Sequence, residues 1–205
     1  MSDFFAVFGL ERRLAIDGAA LQRRFYELSR QWHPDFHGSA APDAQARALQ
    51  ESARVNAAYR ALRDPLARAE YLIRLTGGEP GGEGGTLPGF PSNKDGATIK
   101  PKAPPALLAE MFEIQEALEE AKAGPLDDTA RATLTEQREG LEARMAETEA
   151  RIVGPLSQAW DAGAPAERPA ALNALKEALA TRAYLRTVVD DLAAALEGRE
   201  QEARH

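Results

Sequence analysis

Eight glycines and six prolines fall between residues 77 and 105 with few apolar residues among them, and this stretch limits the possible folds more than any other feature. Glycine-rich backbone loses much conformational freedom on ordering, and proline donates no backbone hydrogen bond, so the stretch reads as a flexible linker without a packed core. The 205-residue chain is therefore expected to hold two modules, over residues 1–76 and 106–205, each long enough to bury its own apolar face.

Both modules read as helical. In the first, Phe4, Phe5, Phe8 and Leu10 form a short apolar segment closed by Gly9. Asp17 offers an N-cap, after which Leu21, Phe25, Leu28 and Trp32 recur at intervals of four, three and four on one helix face. Arg23, Arg24 and Arg30 fall largely off that face. Pro34 disfavours helical backbone at His33 and stops the helix near Trp32. Residues 36–42 read as a loop, followed by a second long helix capped by Asp43, with Ala48, Ser52, Val55, Tyr59 and Leu62 as its buried stripe. Two such helices joined by a turn of about ten residues are expected to pack antiparallel. Asp64-Pro65, a cap followed by proline at the first helical position, starts a short helix through Leu66, Tyr71 and Leu75.

The second module begins near Pro105. Leu107, Met111, Ile114 and Leu118 make one stripe, and Leu134, Leu141, Met145 and Ile152 a second. Gly154-Pro155 is expected to kink or break that second helix. Leu172, Leu175, Leu179, Leu185, Val188, Leu192 and Leu196 mark the last. The fold class is all-α, with a C-terminal three-helix bundle.

Charge and composition narrow the function. Residues 1–75 carry 11 Arg and no Lys against 9 acids, a net of +2, leaving −9 for the remainder of a chain whose total is −7. That balance argues against nucleic acid as the main partner and points to a local arginine patch facing an acidic one. With no cysteine and only three histidines, thiolate zinc and resident iron–sulfur sites are not expected, nor is any cofactor. No apolar run approaches the roughly 18–20 residues that span a bilayer, and structure starting by Asp3 leaves no room for a targeting peptide, so a cytoplasmic location without membrane attachment is expected.

His33-Pro34-Asp35, at the end of an apolar-striped helix, is the motif with the most specific implication. Together with the Phe4/Phe8/Leu10 segment, the Leu21/Phe25/Leu28/Trp32 stripe and Asn56-Ala57-Ala58-Tyr59 followed by Leu62, it resembles a J-domain. The resemblance implies docking on an ATPase chaperone of the DnaK type and stimulation of its ATP hydrolysis, with His33, Pro34 and Asp35 as the trigger. The physical logic agrees: proline presets the backbone, which reduces the entropy lost on binding, and Asp35 can accept charge-assisted bonds. Arg23, Arg24 and Arg30 would supply positive potential beside it. Many J-domains have Lys after the tripeptide where this chain has Phe36, so docking is expected to lean more on the helix arginines.

At about 100° per residue, Leu107, Met111, Ile114 and Leu118 lie within about 60° of one another, while Leu108 and Phe112 point about 100° or more away. The two extra apolar residues, bordered by Glu113 and Glu116, have the composition of an interface with an apolar centre and an acidic edge. Alternatively, they pack within a wide bundle face. Pro65-Leu66-Ala67-Arg68-Ala69-Glu70-Tyr71-Leu72 and the segment Leu107 to Glu120 sharpen the resemblance to the HscB-type co-chaperones of iron–sulfur cluster assembly, over nearly the whole chain except the linker. That likeness implies two partners, the chaperone HscA and the scaffold IscU, with scaffold contacts at Leu108, Ala109, Phe112, Glu113 and Glu116. Ala109 is smaller than expected there, which leaves Phe112 as the better anchor. The linker is longer and richer in Gly than expected.

Two other functional classes fit the sequence less well. A J-protein for unfolded clients would share the first module and differ in what it captures. An enzyme using His33 and Asp35 as an acid–base pair is disfavoured, because side chains spaced around a rigid proline are not expected to converge and no nucleophile, phosphate loop or metal set accompanies them.

Overall fold

The computed structural model describes residues 3–37, 41–76 and 128–202, together with Phe112, Ile114, Glu116 and Glu119. The linker reading over 77–105 and the assignments of Leu107, Leu108, Ala109, Met111, Glu113 and Leu118 lie outside the described residues. Every regular element among the described residues is helical, in agreement with the all-α expectation. By contacts the chain divides into two units: the described parts of Met1–Glu83 with Val153–Leu175, and those of Gly84–Ile152 with Lys176–His205. Residues 153–175, read from sequence as part of the C-terminal bundle, thus cluster with the first unit.

In that first unit, α1 (Phe4–Val7) is capped by Asp3, whose carboxylate accepts the Phe5 N–H and pairs with Arg12 at 2.6 Å. Phe5 is fully buried, and Phe4 stacks on Tyr71 with ring centroids 4.6 Å apart. Gly9 ends the segment at φ 68°, a left-handed conformation that glycine adopts without a Cβ penalty. Asp17 caps α2 (Gly18–Gln31) by accepting the Ala19 and Ala20 N–H groups, as its position predicted. Leu21 and Leu28 are buried, Phe25 and Trp32 half-buried, so the 4-3-4 stripe is the packed face. It meets α3 (Pro42–Arg63), where Tyr59 stacks on Phe25 at 4.1 Å.

Two boundary expectations are corrected. Asp43 is not the cap of α3: Ala41 takes that place and Pro42 is the first helical residue, with Asp43 inside the first turn. Proline there gives up only an N–H that the helix does not use, and an acidic side chain in the first turn still favours the positive end of the helix dipole. Nor are residues 36–42 wholly loop, since Pro34–His37 forms a 3-10 turn that includes Phe36.

Helix α4 (Pro65–Thr76) begins as expected, with Asp64 accepting the Ala67 N–H at 2.8 Å. Its buried face, however, is Arg68, Ala69, Leu72 and Ile73, whereas Leu66, Tyr71 and Leu75 are half-buried. Arg68 is 7% exposed, and its Nη1 donates to the Leu62 carbonyl at 2.6 Å, satisfying an acceptor at the end of α3. Burial pulls its pKa below the usual guanidinium value, while the charges of Asp64 and Asp161 oppose that shift.

Helix α5 (Asp128–Arg151) buries Leu134 and Leu141 and runs into a π-helical turn, Ile152–Leu156. Pro155 sits inside that turn, whose wider spacing absorbs the missing N–H at the point where the sequence predicted a break. Then come α6 (Ser157–Ala162) and the 35-residue α7 (Arg168–Glu202). Asp161 of α6 accepts the Leu14 N–H at 2.8 Å and the Ala15 N–H at 2.7 Å, and Trp160 donates from Nε1 to the Arg12 carbonyl at 3.3 Å. The second unit has a core drawn from three helical segments: Ile114; Leu134 and Leu141 of α5; and Tyr184, Leu185, Val188, Val189, Leu192 and Leu196 of α7.

Candidate functional site

The end of α2 sets the geometry of the tripeptide. Trp32 closes the helix by donating its N–H to the Leu28 carbonyl at 3.0 Å, and the chain turns at His33 into the 3-10 turn. The Phe36 N–H donates to the His33 carbonyl at 3.1 Å, so the turn is hydrogen-bonded as well as proline-restricted. His33 and Asp35 are both exposed, their side chains 53% and 85% accessible.

Contrary to expectation, the two side chains do converge. His33 Nδ1 accepts the Asp35 backbone N–H at 3.3 Å, and Asp35 Oδ2 stands 3.6 Å from the same nitrogen. The 3-10 turn folds residue 35 back over residue 33, a consequence of local backbone that residue spacing did not convey. Nδ1 is engaged as an acceptor of the backbone N–H, and both groups are open to solvent. What the turn offers is an outward imidazole edge and an outward carboxylate.

On the exposed side of α2, Arg23 and Arg30 form no ion pair with another described residue, whereas Arg24 pairs with Glu27 at 2.8 Å. Arg23 and Arg30 are therefore the freer carriers of positive potential, and Arg24 is partly neutralised. Tyr26 stands between them at helical spacing and is 61% exposed. Sequence reading passed over it, although spacings of three and four from the flanking arginines place all three on one stripe. A large ring within a basic face has the composition of a contact centre.

In the second unit, Ile114 is 3% exposed and lies in the core, while Phe112 is 70% exposed and Glu116 is exposed. This separates the two residues as the helical angle predicted: the stripe residue inward, Phe112 outward. Leu108, Ala109 and Glu113, the other residues of that expected patch, lie outside the described residues. Among the described residues no cluster of His, Asp and Glu has the makings of a metal site, and no helix is long and apolar enough to cross a membrane.

Comparison with known proteins agrees with this geometry. Residues 3–71 match the DnaJ domain family model. The chain is similar in structure to the chaperone HscB from Vibrio cholerae, with 24% sequence identity, a TM-score of 0.57, and coverage of 97% of this chain and 99% of that one. It is similar also to the human co-chaperone protein HscB, with 23% identity, a TM-score of 0.58, and coverage of 94% of this chain and 81% of that one. The exposed His-Pro-Asp turn between two packed helices lies within the stretch that matches the DnaJ domain, residues 3–71, on a chain with the fold of the HscB chaperones.

Proposed function

We propose that this protein is a cytoplasmic HscB-type co-chaperone, which stimulates the ATPase of a DnaK-type chaperone of the HscA kind and delivers to it an iron–sulfur scaffold protein of the IscU kind. The observation that carries the reading is the His33-Pro34-Asp35 turn, ordered by its own hydrogen bonds and open to solvent within a DnaJ domain. The chain performs no chemistry of its own in this scheme; ATP hydrolysis belongs to the partner.

The exposed turn and the basic side of α2 support the chaperone-docking part of this reading. A turn that is ordered before binding loses little entropy when it docks, so its contacts are spent on discriminating between chaperone states. Arg23 and Arg30 raise the rate of encounter with an acidic surface, and Asp35 accepts charge-assisted bonds once docked. Phe112 and Glu116, both exposed, serve as scaffold contacts in this reading, which also assigns that role to Leu108, Ala109 and Glu113, outside the described residues. Covalent linkage of the two modules raises the local concentration of scaffold at the chaperone without any new contact.

The test is titration of the chaperone's ATPase rate with wild-type protein and with His33→Gln, each with and without scaffold. Stimulation by the wild type, enhanced by scaffold and lost in His33→Gln, is the expected result. A wild-type chain that leaves the rate unchanged refutes the proposal. Capture of many denatured proteins, and no folded scaffold, would instead make it a J-protein for unfolded clients.

A further inference from the structure

Phe36 is 69% exposed, although its backbone lies inside an ordered turn. Its ring meets the His33 imidazole edge-on, with centroids 6.0 Å apart and planes inclined at 69°. The Asp35 N–H holds the same imidazole at Nδ1. The histidine is thus contacted from two sides by residues of its own turn, and Nε2 has no partner among the described residues. An aromatic ring left in water contributes little to folding, and it gains most when a partner covers it. Any partner that engages His33 and Asp35 comes within reach of a ring only 6.0 Å from the imidazole, so one docking event would desolvate all three.

We propose that Phe36 is a specificity-determining residue of the docking turn: its ring steadies the His33 imidazole and packs into an apolar spot on the ATPase of the DnaK-type chaperone. This rests on the reading that the turn docks on such a chaperone. The surrounding positive charge comes from Arg23 and Arg30, whose attraction weakens as salt screens it, whereas burial of a ring is far less sensitive to salt. The two contributions can therefore be separated by ionic strength.

The experiment uses the full chain as wild type, His33→Gln, Phe36→Ala, Phe36→Tyr and Phe36→Lys. It records chaperone ATPase rate against co-chaperone concentration at low and high salt, together with the His33 ring proton resonances of the free proteins. Phe36→Ala is expected to raise the half-saturating concentration by about tenfold at both salt levels and to shift the His33 resonances through loss of ring current. Phe36→Tyr is expected to stay near wild type in both, and Phe36→Lys to recover at low salt only. If wild type stimulates and His33→Gln does not, yet Phe36→Ala matches wild type within twofold, the docking reading survives and this inference is overturned. The same holds if the resonances move while the ATPase curve does not, which would make Phe36 a structural neighbour only. An effect of Phe36→Ala on self-association in place of the ATPase would assign the ring to a second copy of the chain and also overturn it. A wild type without stimulation removes the docking reading and this inference together.

Discussion

Single residues carry two different kinds of consequence here. Tyr71 is structural: its hydroxyl accepts the Phe4 N–H at 2.8 Å and stands 3.4 Å from Asp3 Oδ1. Burial pushes its pKa above the ordinary phenol value and the Asp3 charge adds to that, against the opposing effects of the Phe4 hydrogen bond and Arg12. A raised folded pKa means that the neutral phenol is favoured in the native state. The associated stability is then complete below about pH 10 and fades as pH rises through the folded pKa. The gap in melting temperature between wild type and Tyr71→Phe should therefore shrink above about pH 10, and a gap that stays constant from pH 8 to 11 would contradict it. Phe112 is the opposite case. With the ring 70% exposed, Phe112→Ala should leave the melting temperature almost unchanged. In scaffold binding the same substitution should cost about 1–3 kcal/mol, read by calorimetric titration with the folded scaffold. A folded variant of unchanged affinity would exclude the ring from that interface.

At the level of elements, the short helix α6 does more than its six residues suggest. Its Asp161 gathers the Leu14 and Ala15 N–H groups from a segment 147 and 146 residues away, and Trp160, with Arg168 stacked 5.6 Å over its ring, adds a third bond to Arg12. Charge-assisted bonds of this kind contribute about 1.5–3 kcal/mol each, less where water competes, so Asp161→Ala should lower stability by about 2 kcal/mol in chemical denaturation. Asp161→Asn, which keeps one acceptor oxygen, should lose about half of that. Equal stability of wild type and Asp161→Ala would show that the segment is held by packing alone. The contrast with α2 shows what sequence can and cannot convey. The stripe Leu21/Phe25/Leu28/Trp32, the Asp17 cap and the Asp64-Pro65 start were legible because each is written in residues a few positions apart. The Asp161 contact was not, since nothing local marks an aspartate whose partners lie at the other end of the chain. Arg68 was missed for a related reason: an arginine in a helix reads as surface, and only the Leu62 carbonyl beneath it reveals a buried role. At the candidate docking turn, proline stiffening and exposure of His33 and Asp35 were readable, while their convergence depended on a 3-10 turn and Tyr26 was hidden by its arginine neighbours.

For the molecule as a whole, the family match and the contact units do not end at the same place. The DnaJ domain match stops at residue 71, yet the unit it belongs to includes Val153–Leu175. Leu14, only 3% exposed, donates its backbone N–H to the Asp161 carboxylate. A fragment ending at residue 76 keeps the α2, α3 and α4 core but leaves the Leu14 and Ala15 N–H groups and the Arg12 carbonyl without these partners. Some of the lost bonds are replaced by water, so the net penalty is about 2 kcal/mol. In a domain of this size 1 kcal/mol corresponds to about 4–8 °C in melting temperature, which puts the fragment about 10 °C below the same unit in the full chain. Hydrogen exchange supplies the sharper readout: the Leu14 and Ala15 amides should exchange faster in the fragment, with the Leu21 and Leu28 amides of α2 slowed or quickened only by the change in global stability. The full chain carrying Asp161→Ala should reproduce the fast exchange at Leu14 and Ala15 without truncation. Were the fragment to melt with the intact unit and protect those two amides equally, residues 153–175 would have no stabilising role in the first unit, and the two-module division at the glycine-rich stretch would describe the energetics as well as the chain.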